Sequence, residues 1–308
     1  MKILNKKRLN FIVVGSTKSG TTSLYYSLKK HPEIYLPSKK EMNFFNNNSG
    51  YFKKGRKYPN KKAKNYSETI DRPISLSDYL EFYPENSLIS GDITPTYLMN
   101  YEETINNIKE YCDENIKIII ILRNPIDQVF SSFNHQIRED METTTFYQAL
   151  LLEEERMNNN FSKKYSYKRN AMYYNQVKAF KDSFKNIKVY LFDEAFNKDN
   201  TFSDFFIDDL YSFLGVKDVK KRFNLQLNKT GKQNYFIISL LIKILSSSKK
   251  VSSFFKKLGL KEYYMKLKSF NTVKEKIDNK SKKYLMAYFQ NEILSIEKLI
   301  NKKLSHWL

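Results

Sequence analysis

The apolar residues of this chain follow two rhythms. Short β-branched runs occur at residues 11–14 (FIVV), 116–122 (IKIIIIL) and 187–192 (IKVYLF). Runs of this length and composition predict strands covered on both faces, as in a parallel sheet. A further strand is predicted at residues 87–90. Between these runs the apolar positions recur at helical spacing: Leu24 with Leu28, residues 76–83, 102–112, then Val129, Phe130 and Phe133, residues 171–184, and residues 204–214. Pro125 suits the first turn of its helix, and Gly215 gives the last of them a stop. Residues 31–37 run extended, and 153–160 read as charged helix and loop. The alternation predicts an α/β chain with a central parallel sheet flanked by helices.

Two stretches fall outside that alternation. Residues 46–71 are polar and lysine-rich, broken by Gly50, Gly55 and Pro59, and predict a mobile loop or lid. A polar basic loop, LNKTGKQN at 227–234, precedes a helical, lysine-rich part at 235–308, whose Trp307 is expected to pack the tail down. No internal repeat is visible. The reading is one domain over residues 1–308.

Composition narrows the class. A chain of 308 residues can bury the core of one large α/β domain, and 41% hydrophobic with 15% aromatic content argues for a folded protein. Fifty-three Lys+Arg against 33 Asp+Glu give a net charge of +20. Such a field attracts nucleic acid, anionic membranes, nucleotides or polyanionic substrates. A general compositional bias, visible in the many Asn, Ile and Tyr residues, explains it equally well. The single cysteine, Cys112, excludes an internal disulfide and a cysteine-based metal cluster. His31, His135 and His306 are scattered, so no metal is expected. The apolar run after the basic N-terminus is four residues long, too short for a signal peptide. The runs at 116–122 and 236–245 are too short to span a bilayer. These features predict a soluble, cytoplasmic protein with no transmembrane segment.

The candidate chemistry centres on residues 9–28, LNFIVVGSTKSGTTSLYYSL. A strand, a small-residue loop and a helix aim several backbone N–H groups at one spot, at the positive end of a helix dipole. Lys18 adds a full charge, and Ser19, Gly20, Thr21, Thr22 and Ser23 complete the loop. This is a phosphate cradle, but not the Walker A pattern: Gly15 and Gly20 fit it, whereas Thr21 occupies the lysine position. Further along, Glu41 precedes two aromatics in KKEMNFF. Asp92 and Thr94 follow a strand, where parallel sheets present ligand-facing residues. Arg123 ends the next strand, Ser131 lies two turns into the helix after it, and His135 comes one turn later. Arg123 and Ser131 could converge on a second phosphate, or Arg123 could pair with Asp127.

Taken together, the segments KSGTTSL, KKEMNFF, GDITPTYL, RNPIDQVFSSF and LNKTGKQN resemble the sulfotransferases that use 3′-phosphoadenosine-5′-phosphosulfate (PAPS). The order and rough spacing match over most of the chain. The likeness is greatest to carbohydrate sulfotransferases of the heparan sulfate type and their bacterial relatives. It implies a P-loop-like three-layer fold with a C-terminal helical segment, and PAPS as donor without a metal. It implies that Lys18, Ser19, Gly20, Thr21, Thr22 and Ser23 bind the 5′-phosphosulfate end. Arg123 and Ser131 would hold the 3′-phosphate, and Lys229, Gly231 and Lys232 would close over the nucleotide. By the same resemblance Glu41 is the general base, with Lys18 and His135 beside it in catalysis. Asn43, Asp92 and Thr94 would face the acceptor. Asn43 stands where many carbohydrate members carry histidine or glutamine. Ile93 replaces a lysine frequent in heparan enzymes, which removes a charge expected beside the acceptor. A sugar hydroxyl, a glucosamine nitrogen, a lipid-linked glycan and a small alcohol all fit. Two other readings stay open: a P-loop phosphotransferase using Mg-ATP with Asp92 as magnesium partner, and a basic binding protein for polyanions. No dedicated nucleic-acid motif is present, so nucleic acid is not expected as a partner.

Overall fold

The computed structural model describes residues 9–46, 56–70, 74–83, 88–199, 201–219, 232–233, 272–273 and 276–308. Five strands form the central sheet: β1 (Phe11–Gly15), β2 (Ile34–Tyr35), β3 (Ile89–Ile93), β4 (Lys117–Leu122) and β5 (Ile187–Leu191). Their order is β2-β3-β1-β4-β5, and every pairing is parallel.

The period-2 geometry of the strands divides the apolar residues between two cores. Phe11 and Val13 of β1 and Ile119 and Ile121 of β4 face one side, while Ile12, Val14, Ile118, Ile120 and Leu122 face the other. All nine are fully buried, and each such aliphatic side chain contributes roughly 1.5–3 kcal/mol. On the first side lie α1 (Thr21–Leu28) and, from the chain after β5, Phe206, Leu210 and Leu214.

The other helices follow in chain order: α2 (Lys61–Ile70), α3 (Leu76–Glu81), α4 (Tyr101–Tyr111), α5 (Pro125–Arg138), α6 (Phe146–Leu151) and α7 (Glu153–Asn158). Next come α8 (Tyr173–Ser183), the short α9 (Phe192–Ala195), α10 (Asp204–Leu214) and α11 (Asn279–Ile300). Helices α4, α5, α8 and α11 supply the second side. The result is the expected three-layer sandwich with a C-terminal helix. No described helix is long and apolar enough to cross a membrane.

Several boundaries differ from the sequence expectation. The strand expected at 87–90 runs over Ile89–Ile93. Residues 61–70, expected within a long loop, form α2: all three breakers precede it, and Asn60 caps it, accepting from the Ala63 N–H at 2.8 Å. Within the expected loop at 227–234, Lys232–Gln233 (β6) pairs antiparallel with Thr272–Val273 (β7). Trp307 is buried as expected; its indole N–H donates to Asp193 at 3.3 Å and its carbonyl accepts from Asn124 at 3.2 Å.

A buried ion pair fastens the region after α5. Arg156 donates to both oxygens of Glu142, at 2.6 and 2.9 Å, and Tyr167 donates to the same carboxylate at 3.0 Å. Glu153 accepts from the backbone N–H groups of Lys168 and Arg169.

Candidate active site

The loop after β1 is held shut from below. The Ser16 N–H donates to the Ile121 carbonyl at 2.8 Å, and the Ser16 hydroxyl donates to that carbonyl at 3.0 Å. With its one proton committed there, Ser16 accepts from Ser19, whose hydroxyl lies 2.6 Å away. The Ser19 side chain therefore serves the loop itself and leaves only its backbone for a ligand. Two glycines are obligatory here. A Cβ on Gly15 would stand 2.4 Å from Leu98 Cβ, and Gly20 adopts φ 78° with the Phe196 ring 2.3 Å from any added Cβ. Gly20 is also the N-cap of α1 and gives no side-chain cap, so the first-turn N–H groups point out unclaimed by a capping side chain. That is the geometry of an anion cradle. Thr21 and Ser23 are buried and Thr22 half-buried in this first turn.

Lys18 rides on the loop in a left-handed conformation, φ 63°. Burial pushes its ammonium pKa down to about 8, and Arg138, Arg123 and Lys40 push the same way against a smaller opposing effect of Glu41. Five charged groups, four of them cationic, thus converge on the loop. Such crowding of like charge is a standing demand for an anion.

Arg123 leaves β4 and turns onto the loop, donating from Nη1 to the Lys18 carbonyl at 3.0 Å and lying 4.8 Å from the Phe192 ring centroid. It does not pair with Asp127. Its Nε is buried without a hydrogen-bond partner, as is the Ser131 hydroxyl on α5. The buried Tyr173 hydroxyl lies beside Ser16 and Arg123. Buried polar atoms are ordinarily paired, so unmet donors beside a cationic loop suit a phosphorylated ligand. Asn124 caps α5, accepting from the Ile126 N–H. His135 lies on the same helix, its Nδ1 2.9 Å from Arg138 Nη2.

Glu41 approaches on the segment after β2. It is exposed and ion-paired with Lys40. Both Glu41 (φ 59°) and Asn43 (φ 54°) are left-handed, a conformation that costs a non-glycine residue on the order of 1 kcal/mol. The surroundings enforce it. Asn43 donates to the Glu41 carbonyl at 2.9 Å and accepts from Thr96 at 2.8 Å, while Asn46 donates to Thr96 at 3.1 Å.

Beneath this segment sits Asp92. Its carboxylate is buried and accepts from Thr94 (2.7 Å), Tyr97 (2.8 Å) and Tyr79 (3.0 Å). The Tyr97 oxygen in turn accepts from the Phe44 N–H at 3.1 Å. Asp92 and Thr94 were expected to face the acceptor or a magnesium ion; instead they engage each other and brace the arm that carries Glu41. Burial raises the Asp92 pKa, opposed by these hydroxyls.

Lys18, Glu41 and Arg123 are thus brought together, with Ser131 and His135 on the helix that follows Arg123. Lys229 and Gly231 lie outside the described residues, and Lys232 falls in β6. Sequence reasoning missed Arg138, Tyr173 and Phe192, which reach the loop only through the packing of α5, α8 and α9. The available signal for Arg138 was its spacing, i+3 from His135.

Residues 10–190 match the model of a sulfotransferase family. Over 129 residues the chain is 33% identical to a membrane-associated sulfotransferase, kil1, of Dictyostelium discoideum, covering 42% of this chain and 23% of that protein. Over 133 residues it is 33% identical to the bifunctional heparan sulfate N-deacetylase/N-sulfotransferase 4 of Mus musculus, covering 41% of this chain and 13% of that one. The matches thus span less than a quarter of those relatives. A solved sulfotransferase from Alicyclobacillus acidocaldarius is similar over 97% of this chain and 98% of its own, at 25% identity and a TM-score of 0.70.

Proposed function

The chain belongs to the sulfotransferase family, and from that premise we propose that it moves a sulfuryl group from PAPS to a hydroxyl or amine of a carbohydrate acceptor. The observation that carries the donor assignment is the pair of unmet buried donors, Arg123 Nε and Ser131 Oγ, beside the cationic loop. A 3′-phosphate satisfies both with charge-assisted bonds, and ATP has none to offer. The carbohydrate acceptor rests on the likeness to a heparan sulfate N-sulfotransferase.

In this reading PAPS, when bound, supplies the sulfuryl group and an adenosine 3′,5′-bisphosphate leaving group. The N–H groups of the loop and of the α1 first turn hold the 5′ end, with Lys18 offsetting negative charge on the leaving oxygen. Arg123 and Ser131 fix the 3′ end, and Lys229, Gly231 and Lys232 belong to the basic segment assigned to its cover. Glu41 takes the proton from the acceptor as it attacks, and the adjacent Lys40 holds that carboxylate in place. The left-handed backbone at Lys18 and Glu41, braced by Arg123 and by Asn43, keeps acid–base and anion-holding groups in fixed relation.

The test is thermal stabilisation by adenosine 3′,5′-bisphosphate, set against AMP and Mg-ATP, on wild type and Arg123→Ala. Ligand-dependent stabilisation grows with concentration over Kd. A shift with the bisphosphate alone, abolished in Arg123→Ala, is expected. A shift with Mg-ATP in preference to the bisphosphate would overturn the donor assignment.

A further inference from the structure

The bond between Arg138 and His135 fixes a protonation state. A guanidinium has only N–H donors, so at 2.9 Å the bond has one direction: Arg138 Nη2 donates and His135 Nδ1 accepts. A neutral imidazole carries one proton, which then sits on Nε2. An imidazolium, protonated on both nitrogens, is incompatible with the bond. The pair is built in: residues three apart on α5 share a face, and the Arg138 side chain is only 13% exposed. Arg138 also faces the carboxylate of Glu139, 3.6 Å from its Nε, and it acts on Lys18 together with Arg123, Lys40 and Glu41.

We propose that Arg138 is a positioning residue that holds His135 as the neutral Nε2–H tautomer, so that His135 serves the reaction as a hydrogen-bond donor to an oxygen and not as a proton acceptor. No proton crosses His135 in this scheme; the acceptor's proton goes to Glu41 alone. The proposal rests on the sulfuryl-transfer reading for its function, but the ring state itself can be measured without donor or turnover.

The chain has three histidines, His31, His135 and His306, so two-bond proton–nitrogen NMR spectra resolve every ring, with His135→Gln identifying its signals. Near neutral pH the His135 ring of the wild type is expected to show an unprotonated Nδ1 and a protonated Nε2. In Arg138→Met it should shift toward an averaged or doubly protonated ring, and Arg138→Lys, which keeps a donor, should restore the wild-type pattern. In turnover assays His135→Gln carries an amide N–H near the Nε2 position and should retain on the order of a tenth of wild-type kcat. His135→Asn carries its N–H near the Nδ1 position and should lose on the order of 100-fold. A wild-type imidazolium, an Nδ1–H tautomer, a ring unchanged in Arg138→Met, or Asn outperforming Gln would each overturn the proposal. Absence of transfer from PAPS with the ring pattern as expected would sink the donor assignment and leave the tautomer standing.

Discussion

Raising the pH should switch off the anion cradle, and the structure gives the size of the effect. Lys18 has its pKa pushed down to about 8, by burial first and then by the Arg138, Arg123 and Lys40 cations. At about pH 7 roughly nine in ten heads are charged, and at about pH 9 roughly one in ten. The charged form binds a phosphate, and the bound anion returns the pKa toward its ordinary 10.5. Affinity for adenosine 3′,5′-bisphosphate should therefore fall about tenfold between those pH values, close to 1.4 kcal/mol. The ligand contributes little, because its phosphates complete their second ionisation near pH 6. Above about pH 8 binding should also take up a proton, which calorimetry in buffers of different ionisation heat reads directly. Lys18→Met should bind weakly with a flat pH profile. A flat profile in the wild type, or the same slope in Lys18→Met, would refute the reasoning.

Two further outcomes follow from the geometry. Glu41→Gln should keep the bisphosphate-dependent melting shift and lose about 10²- to 10⁴-fold in turnover; normal turnover would remove Glu41 as the base. Glu142→Gln or Arg156→Met should each lower stability by about 3–5 kcal/mol in urea denaturation, since either leaves a buried partner uncompensated. Burial works to raise the Glu142 pKa, but bonds from Arg156, the Thr143 backbone and Tyr167 outweigh it and hold it below 4.5. The pair's contribution is thus complete above about pH 4.5 and is lost as acid protonates the folded carboxylate. A loss below about 1 kcal/mol in either variant would show that the pair is dispensable.

The parts of the site that depend on short-range pattern were legible in the sequence. The β-branched runs announced β1 and β4, and the glycine spacing announced the loop between β1 and α1, because both are local consequences of backbone sterics. The functions of Asp92 and Thr94 were not legible. A carboxylate after a strand reads as ligand-facing until Tyr79 and Tyr97, arriving from other elements, claim its oxygens. Arg138 was hidden for a similar reason: nothing local distinguishes a helix-end arginine on the surface from one turned into a cationic cluster. Helix α2 was missed because its apolar positions, Ala63, Tyr66 and Ile70, are few and set among lysines and polar residues, and its start depends on one Asn60 cap.

The strand order also governs when the site can come into being during synthesis. β1 is the middle strand, yet both neighbours, β3 and β4, are encoded far downstream, and Ser16 is tied to Ile121 at a separation of 105 residues. No hairpin is available anywhere in the sheet, so every pairing waits on a long crossover and on loop closure. The glycine loop leaves the ribosome before the strand that leads into Arg123, and it can take up its binding shape only after that strand has emerged. Until then the apolar residues of β1 have no sheet to enter and are exposed to non-native association.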